Sequence, residues 1–367
     1  MNTVLGAEFE SHVIDGKSII DVRSPVEFLS GAIPGSVNLP ILDDLERHQV
    51  GLCYKLKGQE AAIRLGYEIV SGPNLEQKRS KWLEHIAKYP ETILTCFRGG
   101  LRSQSAQKFI LESGVVISRL DKGFKFARAF FLDTISASAE SLDFLILTGT
   151  TGSGKTHLLN NIAKFHPAID LEGLAHHRGS AFGAWDIPQP SQIDFENRLA
   201  RCFLKLTPAG QINQNRQILL EDESRMIGHR HIPEVFFTKM RASKVVLLNE
   251  PLENRIENIF ADYISSKIGS NTSDDDFMLA LNSYKNSVQK IKTKLGGLRA
   301  QELMQDLELC ETDFIQKKDL SRNKVWIEKL LVWYYDPMYT GSLKKRNPSV
   351  LFQGSSFEVK DYFQSLI

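Results

Sequence analysis

Short runs of apolar residues, each ending at a turn or a glycine-rich loop, recur along the first two thirds of the chain. The main ones lie in SIIDVRS at 18–24, ETILTCFRGGLRSQSAQKFI at 91–110, DFLILTGTTGSGKTHLLNNI at 143–162, QILLEDES at 217–224 and KVVLLNEP at 244–251. Continuous apolar runs of this length are typical of strands buried on both faces of a parallel sheet. Helix-forming residues follow the glycine turns of the second and third runs, so each of these predicts a β-loop-α unit.

The pattern changes in the last third of the chain. Long amphipathic stretches follow, for example QELMQDLELCETDFI, in which Leu303, Leu307 and Cys310 recur at helical spacing. The small, polar stretch DTISASAESLD at 133–143 suits a linker or a short connecting helix, and we place a domain boundary there. The predicted regions are an α/β domain over 1–135, a parallel-sheet domain over 136–251, and a mostly helical region over 252–367 that completes the second domain.

Composition and charge exclude several classes of protein. The chain has 367 residues, 42% hydrophobic and 24% charged, as in a globular protein of two or three domains. Lys and Arg number 45 against 44 Asp and Glu, so a polyanionic partner must be bound by local basic patches. No apolar run approaches the ~18 residues that span a bilayer, and the first residues do not read as an export signal. The four cysteines form no CxxC pair, which argues against a zinc knuckle and a disulfide framework, so we expect a cytoplasmic protein. Because no apolar span is present, we expect no membrane partner.

The second apolar run leads into a loop that suits anion binding. The candidate residues are Cys96, Arg98, Gly99, Gly100, Leu101, Arg102 and Ser103. Turn amides, the N-terminus of the following helix and the two arginines would attract negative charge and favour the thiolate. A cysteine at a strand end is more often an inert core residue, but two glycines and two arginines within six residues favour a nucleophile.

This loop and its flanking segments resemble the rhodanese family. The resemblance extends to IIDVRSPVEFLSGAIPGSVNLP at 19–40 and RLDKGFKFARAF at 119–130. It implies that the cysteine accepts sulfur or selenium as a persulfide or perselenide. It also implies that Asp21 and Arg23, which lie in the first-strand motif of that family, belong to the anion site.

Two departures from the rhodanese pattern are present. Cys96 and Arg102 stand one residue further apart than in common sulfur carriers, a spacing that resembles the related cysteine phosphatases. The longer loop predicts a larger tetrahedral anion, a phosphate derivative rather than thiosulfate. Lys122 stands where a glycine is usual in the L-x-G-G turn, which weakens the match.

The third run continues into a phosphate loop. The residues that match G-x-x-x-x-G-K-[ST] are Gly149, Thr150, Thr151, Gly152, Ser153, Gly154, Lys155 and Thr156. The loop amides would converge on a diphosphate, Lys155 would add positive charge, and the Thr156 hydroxyl would ligate Mg²⁺. Such a loop recognises phosphates rather than bases, so ATP, GTP or a non-nucleotide diphosphate would satisfy it.

An acid at a strand end should complete the magnesium site. ILLEDES offers Glu221, Asp222 and Glu223, of which we expect Asp222 to contact the ion, the alternative being a solvated acidic turn. His176 and His177 lack a carboxylate or cysteine at ligand spacing, so we predict local hydrogen bonds and no transition metal.

Two basic runs are candidates for nucleic-acid contact. They comprise Lys285, Lys290, Lys292, Lys294 and Arg299, and Lys344, Lys345 and Arg346. Ordinary solvated helix faces would have the same composition. Tyr54, Trp326, Trp333, Tyr334 and Tyr335 could stack on bases, although aromatic residues at helical spacing are more often core. For Cys53 we favour burial over a role in resolving a perselenide.

Several longer segments resemble the tRNA 2-selenouridine synthase family. They are DLEGLAHHRGSAFG, QPSQIDFEN, EDESRMIGHRHIPEVFF and YYDPMY, and they follow a rhodanese-like domain and the phosphate loop of a P-loop NTPase-like domain. The resemblance implies two steps at the wobble uridine of the tRNAs for lysine, glutamate and glutamine. Geranyl diphosphate first alkylates the sulfur of 2-thiouridine, and selenium from selenophosphate then displaces geranyl thiol. It implies these two substrates and Mg²⁺, with no tightly bound cofactor, and a selenophosphate-producing enzyme as a partner.

Two other readings stay open at this point. One is a sulfurtransferase or cysteine phosphatase fused to an ATP- or GTP-dependent kinase or ATPase. The other is a binding protein in which both loops sense phosphorylated metabolites. The fused kinase or ATPase would release phosphate, which a tRNA-modifying enzyme need not do. The binding protein would keep its function without the Cys96 thiol, whereas a selenium-transferring enzyme would lose selenation.

Overall fold

The computed structural model describes residues 2–4, 6–180, 182–183, 187–207, 217–267 and 273–366. The chain forms two compact units. One comprises Met1–Ser138 with Pro190–Asn213, and the other comprises Ala139–Gln189 with Gln214–Ile367. Each unit contains a five-stranded sheet whose paired strands are parallel, which confirms the predicted α/β class.

The strands are β1 (Thr3–Val4), β2 (Ile19–Asp21), β3 (Ser36–Asn38), β4 (Ile93–Thr95), β5 (Ser118–Leu120), β6 (Phe144–Gly149), β7 (Ala168–Ile169), β8 (Ile218–Glu221), β9 (Met226–Ile227), β10 (Arg230–His231), β11 (Lys244–Leu248) and β12 (Val350–Gly354). The helices are α1 (Gly6–Ile14), α2 (Pro25–Leu29), α3 (Asp44–Ile69), α4 (Gly72–Lys88), α5 (Leu101–Leu111), α6 (Gly123–Ser141), α7 (Lys155–Ile162), α8 (Leu171–Ala175), α9 (Gln192–Leu206), α10 (Glu234–Ala242), α11 (Leu252–Ile259), α12 (Asp274–Leu295), α13 (Gly297–Lys317), α14 (Asn323–Leu330), α15 (Asp336–Arg346) and α16 (Ser356–Gln364). Short π-helical turns at Phe260–Ile264 and Leu331–Tyr335 continue α11 and α14.

In the first unit the strand order is β1-β5-β4-β2-β3. The central strands β2 and β4 are buried at every residue, because their IID and ILT sequences face helices on both sides of the sheet. Trp82 anchors this core, and its indole N–H donates to the carbonyl oxygen of Leu39 at 2.9 Å. The sheet therefore holds the ends of β2 and β4 side by side.

Helix α9 comes from a later part of the chain but belongs to the first unit, which the sequence did not reveal. The carboxylate of Asp194 accepts the amide hydrogen of Ala32 at 2.8 Å, and the side-chain amide of Asn197 donates to the Ala32 carbonyl at 2.8 Å. Asn197 is fully buried and also accepts a hydrogen bond from Arg128. Residues of the QPSQIDFEN segment thus attach α9 to the N-terminal unit.

In the second unit the strand order is β12-β11-β6-β8-β7. Strand β6 (FLILTG) lies at the centre and is buried along its whole length. The edge strand β12 follows the helical region and pairs with β11, a pairing that its short apolar run did not predict. The stretch 133–143, expected to be a linker or a short helix, is instead largely the end of the 19-residue helix α6.

The C-terminal helices enclose a second core in this unit. Phe277, Leu281, Leu303 and Leu307 are fully buried within it, and so is Cys310. Burial raises the pKa of the Cys310 thiol to about 12, so this cysteine is an inert core residue. Within the part of the chain that the structure describes, no helix is both long and apolar enough to cross a bilayer.

Candidate functional site

The cysteine loop joins the end of β4 to the start of α5. Cys96 lies at the floor of this loop with 2% of its surface exposed. Its thiol donates to the hydroxyl of Ser103 at 3.1 Å, and that hydroxyl donates to the Gly100 carbonyl oxygen at 3.1 Å. Because a hydroxyl can rotate, Ser103 is placed to donate to a thiolate once the proton has left Cys96.

The turn at the start of α6 packs against the backbone of the cysteine loop. A side chain at Gly123 would lie 2.2 Å from the Cys96 carbonyl oxygen and 2.5 Å from the Gly99 nitrogen, so only glycine fits there. Lys122, which replaces a glycine usual in rhodaneses, has a left-handed φ of 55°. The turn therefore keeps its backbone conformation despite the substitution, and Arg119 adds a hydrogen bond to the Gly99 carbonyl at 2.8 Å.

The two arginines of the loop have different environments. Arg102 is half-buried and makes two hydrogen bonds to the Glu27 carboxylate, at 2.5 and 3.2 Å. Arg47 also pairs with Glu27, at 3.0 Å. Burial works against ionisation of Glu27, but Arg102 and Arg47 outweigh it and lower its pKa. Arg98 is exposed, with its guanidinium 5.8 Å from the centre of the Phe97 ring.

Asp21 and Arg23 do not contribute to the anion loop, which corrects the expectation from the rhodanese resemblance. Both are almost completely buried and form an ion pair, in which Arg23 Nη2 and Nε donate to Asp21 Oδ2 at 2.7 and 2.9 Å and Nε also donates to Oδ1 at 3.1 Å. Arg23 also donates to the Gly31 carbonyl at 2.8 Å and lies over the Phe124 ring. With its donors used internally, the pair stabilises the end of β2 and leaves no group for a ligand.

The phosphate loop joins β6 to α7 in the second unit. Gly152 and Gly154 have φ of 81° and 77°, a conformation that other residues rarely adopt. A side chain at Gly149 would lie 2.8 Å from the Leu248 carbonyl oxygen, so the loop passes close to β11. The Lys155 ammonium donates to the Gly149 carbonyl oxygen at 2.9 Å, so its charge lies at the phosphate loop.

Helix α11 braces the phosphate loop, a role that the sequence analysis missed. The buried Arg255 donates to the Thr151 carbonyl at 2.9 Å and pairs with Asp336 at 2.5 Å. Asn258 donates to the Gly152 carbonyl at 3.0 Å. Asp336 lies in the YYDPMY segment, which the sequence singled out only by its resemblance to the family.

The acid nearest to Thr156 is Glu172 rather than the expected Asp222. Both carboxylate oxygens of Asp222 are engaged, one by Arg346 at 2.7 Å and the other by the Thr148 hydroxyl at 2.5 Å. The Thr156 hydroxyl instead donates to the Glu172 carboxylate at 2.9 Å. Glu172 is thus the acid that contacts Thr156, while Asp222 lines the same cavity and is paired with Arg346 and Thr148.

The half-buried Glu172 forms a group of neighbouring carboxyls with the buried Glu221 and Glu223. Burial, reinforced by the charge of Glu172, raises the pKa of Glu221 to about 8. The same two causes raise the pKa of Glu223 well above its ordinary value. Burial also raises the pKa of Glu172, although the Thr156 hydroxyl opposes the shift. Burial and mutual repulsion therefore favour the protonated form of these acids relative to ordinary surface carboxyls.

The residues around Thr156 fit a magnesium ion. Glu221 Oε1 is buried without a hydrogen-bond partner, as an oxygen next to a cation would be. Among the described residues, no three His, Cys, Asp or Glu side chains form a preassembled metal-binding group. Mg²⁺ commonly takes one or two carboxylates and completes its shell with substrate phosphates, so Thr156 and Glu172 would suffice beside a diphosphate.

The phosphate loop opens into a cavity of about 540 Å³. Its lining also includes five apolar side chains, which we call the apolar wall: Phe182, Trp326, Ile327, Leu330 and Met338. Arg178 also lines the cavity, and its guanidinium stacks 4.8 Å from the centre of the Tyr263 ring. Arg178 comes from the DLEGLAHHRGSAFG segment, whose density of glycine and polar residues was the signal for a functional surface. The cavity therefore combines an anion site with an apolar compartment.

Comparison with known proteins identifies the family. Residues 142–366 match the family model described as the tRNA 2-selenouridine synthase AAA domain, and residues 6–126 match the rhodanese-like domain. A tRNA 2-selenouridine synthase of Nitrosomonas europaea is 45% identical, with 95% of this chain and 94% of that protein covered. One of Bdellovibrio bacteriovorus is 46% identical with the same coverage. This chain belongs to the tRNA 2-selenouridine synthase family.

Members of the tRNA 2-selenouridine synthase family need a surface for RNA, and the first basic run supplies exposed charge. Lys290, Lys292 and Lys294 are exposed near the end of α12. Arg299 is also exposed, with its guanidinium 5.6 Å from the centre of the Trp333 ring. Lys285 is instead half-buried in a salt bridge with Glu311.

The second basic run is divided. Lys344 and Lys345 are exposed on α15. Arg346 turns inward, its side chain 6% exposed in the ion pair with Asp222, so its assignment to RNA contact is corrected. A buried, paired guanidinium cannot approach an RNA phosphate without breaking that pair.

The remaining candidates of the sequence analysis lie in ordinary surroundings. His176 hydrogen-bonds locally, to the Pro188 carbonyl at 3.3 Å. Trp326 and Tyr334 are buried in the helical core. Cys53 is half-buried on α3 rather than fully buried, which corrects the burial we favoured.

The buried acids of the second unit predict a stability that depends on pH. Glu221 keeps its proton in the folded protein up to about pH 8, whereas in the unfolded chain it ionises near pH 4.5. Between these values the folded state binds more protons, so the free energy of unfolding should fall as pH rises, by about 1.4 kcal/mol per pH unit for one such group. The thermal unfolding midpoint, measured in chelator at pH 6 and pH 8, should therefore fall less in Glu221→Gln than in the unaltered protein.

Magnesium provides the control for this experiment. It should raise the thermal unfolding midpoint of the unaltered protein more at pH 8 than at pH 6. At pH 8 fewer protons have to leave the carboxyls before the ion binds. Equal shifts in both proteins at both pH values would show that Glu221 does not titrate as described.

Proposed function

We propose that this protein is a tRNA 2-selenouridine synthase that first alkylates and then selenates a 2-thiouridine of tRNA. The observation that carries the proposal is the cavity of the second unit, whose lining combines the phosphate loop with the apolar wall. A nucleotide would leave the hydrogen-bonding edges of its base against these side chains, at a cost in desolvation. Geranyl diphosphate matches both ends, since its diphosphate suits the loop and its ten-carbon chain suits the wall.

In the first step the sulfur of 2-thiouridine attacks the allylic carbon of geranyl diphosphate. A carbon–sulfur bond forms, the carbon–oxygen bond breaks, diphosphate leaves, and the proton on N3 of the base is released. Lys155, Arg178 and the loop amides would stabilise the departing charge. Magnesium, when bound at Thr156 and Glu172, would supply further neutralisation of that charge. No phosphoanhydride has to be hydrolysed.

In the second step hydrogen selenophosphate and water convert the alkylated base to 2-selenouridine, geranyl thiol and hydrogen phosphate. Selenium in selenophosphate is already at the oxidation level of selenide. A perselenide on Cys96, as the rhodanese resemblance implies, would require an oxidant. We therefore assign a different role to the thiolate, one that needs no change of oxidation state.

The balanced sequence begins with attack of the Cys96 thiolate on phosphorus, in which a sulfur–phosphorus bond forms, the selenium–phosphorus bond breaks and hydroselenide leaves. Hydroselenide then attacks C2 of the alkylated base, the carbon–sulfur bond breaks, geranyl thiolate leaves, and the proton on selenium moves to N3 as the selenocarbonyl forms. Geranyl thiolate takes the proton that Cys96 gives up when its thiolate is regenerated. Water releases phosphate from the cysteine, while Arg98, Arg102 and the loop amides hold the tetrahedral anion. The Cys96–Arg102 spacing supports this assignment because it predicts a site for a phosphate derivative.

The substrate of both steps would be a tRNA that carries 2-thiouridine at the wobble position, as in the tRNAs for lysine, glutamate and glutamine. The exposed lysines of α12 and α15 would contact its phosphates. Selenophosphate is unstable enough in water that a dedicated enzyme would supply it.

Nucleoside mass spectrometry tests the proposal. The protein is incubated with 2-thiouridine tRNA, geranyl diphosphate and selenophosphate, each reagent being omitted in turn. We expect S-geranyl-2-thiouridine without selenophosphate, 2-selenouridine with both reagents, and unchanged 2-thiouridine without geranyl diphosphate. Rapid phosphate release from ATP or GTP without tRNA modification would instead support the kinase or ATPase reading.

A further inference from the structure

The N-terminal unit contains a second cavity that the reactions above do not use. It measures about 570 Å³, within the range of small-molecule sites. We call it the α3 cavity. Its apolar lining consists of Ile41, Leu42, Val50, Ala62, Ile63, Val70 and Phe109. The aromatic side chains of Tyr54 and Tyr67 extend this lining.

The α3 cavity adjoins the cysteine loop. Leu101 and Arg102, which end that loop, also line the cavity, together with Ser105 one turn further along α5. Arg102 and its partner Glu27 make this end polar. A ligand that extends from the cysteine loop into the cavity would therefore pass from a charged mouth to an apolar interior.

Helix α3, which covers the cavity, is poorly packed by itself. Of its 26 residues Ala62 alone is fully buried, whereas Leu45 and Leu56 are 76% and 72% exposed. Gly58 interrupts the helix with a φ of 83°. A helix with so few buried contacts gains stability from any apolar ligand that fills the space beneath it.

We propose that the α3 cavity binds the isoprenoid chain of S-geranyl-2-thiouridine during selenation and retains it as geranyl thiol departs. This inference rests on the proposed function, because only the second step brings an apolar thioether to the cysteine loop. A ten-carbon chain has no hydrogen-bonding group and is excluded from water, so it requires such a compartment beside the reacting base. The Arg102 guanidinium at the mouth adds positive charge on the side where thiolate is expelled.

A matched pair of substitutions on α3 tests this assignment. Ala62→Phe places a ring in the cavity, whereas Ala61→Phe adds the same ring at a neighbouring position that does not line it. RNA stem-loops that carry preformed S-geranyl-2-thiouridine or S-methyl-2-thiouridine are supplied with selenophosphate, so that alkylation is bypassed. We expect Ala62→Phe to slow selenation of the S-geranyl substrate about tenfold or more, in the range by which pockets reject misfitting alkyl groups.

The S-methyl substrate serves as the internal control. Ala62→Phe should leave its rate within about twofold, and Ala61→Phe should leave both substrates unchanged, since neither change touches the cysteine loop. Equal slowing of both substrates by Ala62→Phe, or no slowing of either, overturns the proposal. Should Ala62→Phe fail to fold by circular dichroism, Ile63→Ser replaces it, with the same expected selectivity.

Failure of the proposed function has a separate signature. In that case the unaltered protein would not selenate either substrate. Calorimetric titration with geranyl thiol then shows, independently of the reaction, whether the α3 cavity binds the isoprenoid chain. Binding that Ala62→Phe weakens about tenfold supports the site, and absence of binding to the unaltered protein rejects it.

Discussion

Cys96→Ser should convert 2-thiouridine tRNA to its S-geranyl form and stop there. A serine hydroxyl remains protonated where a thiol ionises, so it cannot attack phosphorus, and we expect selenation to fall on the order of 10³-fold. Geranylation should continue at its normal rate, because that reaction uses the phosphate loop of the other unit. The measurement is the ratio of S-geranyl-2-thiouridine to 2-selenouridine in digested tRNA.

Cys53→Ser is the matched control for this substitution. Cys53 is half-buried on α3 and has no part in the proposed chemistry, so both steps should persist. If Cys96→Ser retained more than about a tenth of the selenation rate, the thiolate would not be the nucleophile and the loop would only bind the anion. If geranylation also failed, the two reactions would not be separable in this way.

Lys155→Ala should have the opposite effect. Removal of the cation that faces the departing diphosphate should slow geranylation about 10²- to 10³-fold, as for the loss of one group that stabilises developing charge. Selenation of tRNA that already carries S-geranyl-2-thiouridine should proceed normally. The measurement is single-turnover formation of the S-geranyl nucleoside, followed by selenation of the preformed substrate.

Lys164→Ala provides the control on the same helical segment. Lys164 is exposed just beyond α7, and its ammonium contacts Asn161 rather than the phosphate loop. Its loss should leave both rates unchanged. Geranylated tRNA purified from Cys96→Ser should also be completed by Lys155→Ala, since each variant retains the step that the other lacks. If Lys155→Ala geranylated tRNA at the normal rate, Lys155 of the phosphate loop would have no part in the first reaction.

Local patterns predicted the two loops well. In each, a continuous apolar run, glycines and then helix-forming residues follow one another within about 20 positions. The backbone conformations that such loops require depend on neighbours in sequence, as at Gly152 and Gly154 with their positive φ. The parallel sheets were predictable for the same reason, because β2, β4 and β6 carry apolar side chains on both faces.

Partnerships between distant side chains were not predictable in this way. Asp222 was a reasonable magnesium ligand by its position after β8, but Arg346, 124 residues later, occupies its carboxylate. That single contact pairs a candidate magnesium ligand with a candidate for RNA contact. Arg23 was likewise placed in the anion loop by resemblance, yet its buried pairing with Asp21 makes it structural.

The sequence by itself determined where the two strand–loop–helix units lie, because each unit arises from residues adjacent in the chain. Tertiary structure alone decided which acid lies beside Thr156, which arginines remain available to a ligand, and that apolar cavities adjoin both loops. The physical reason is that charge pairing and enclosed volume depend on packing between elements far apart in sequence. No local pattern encodes that packing.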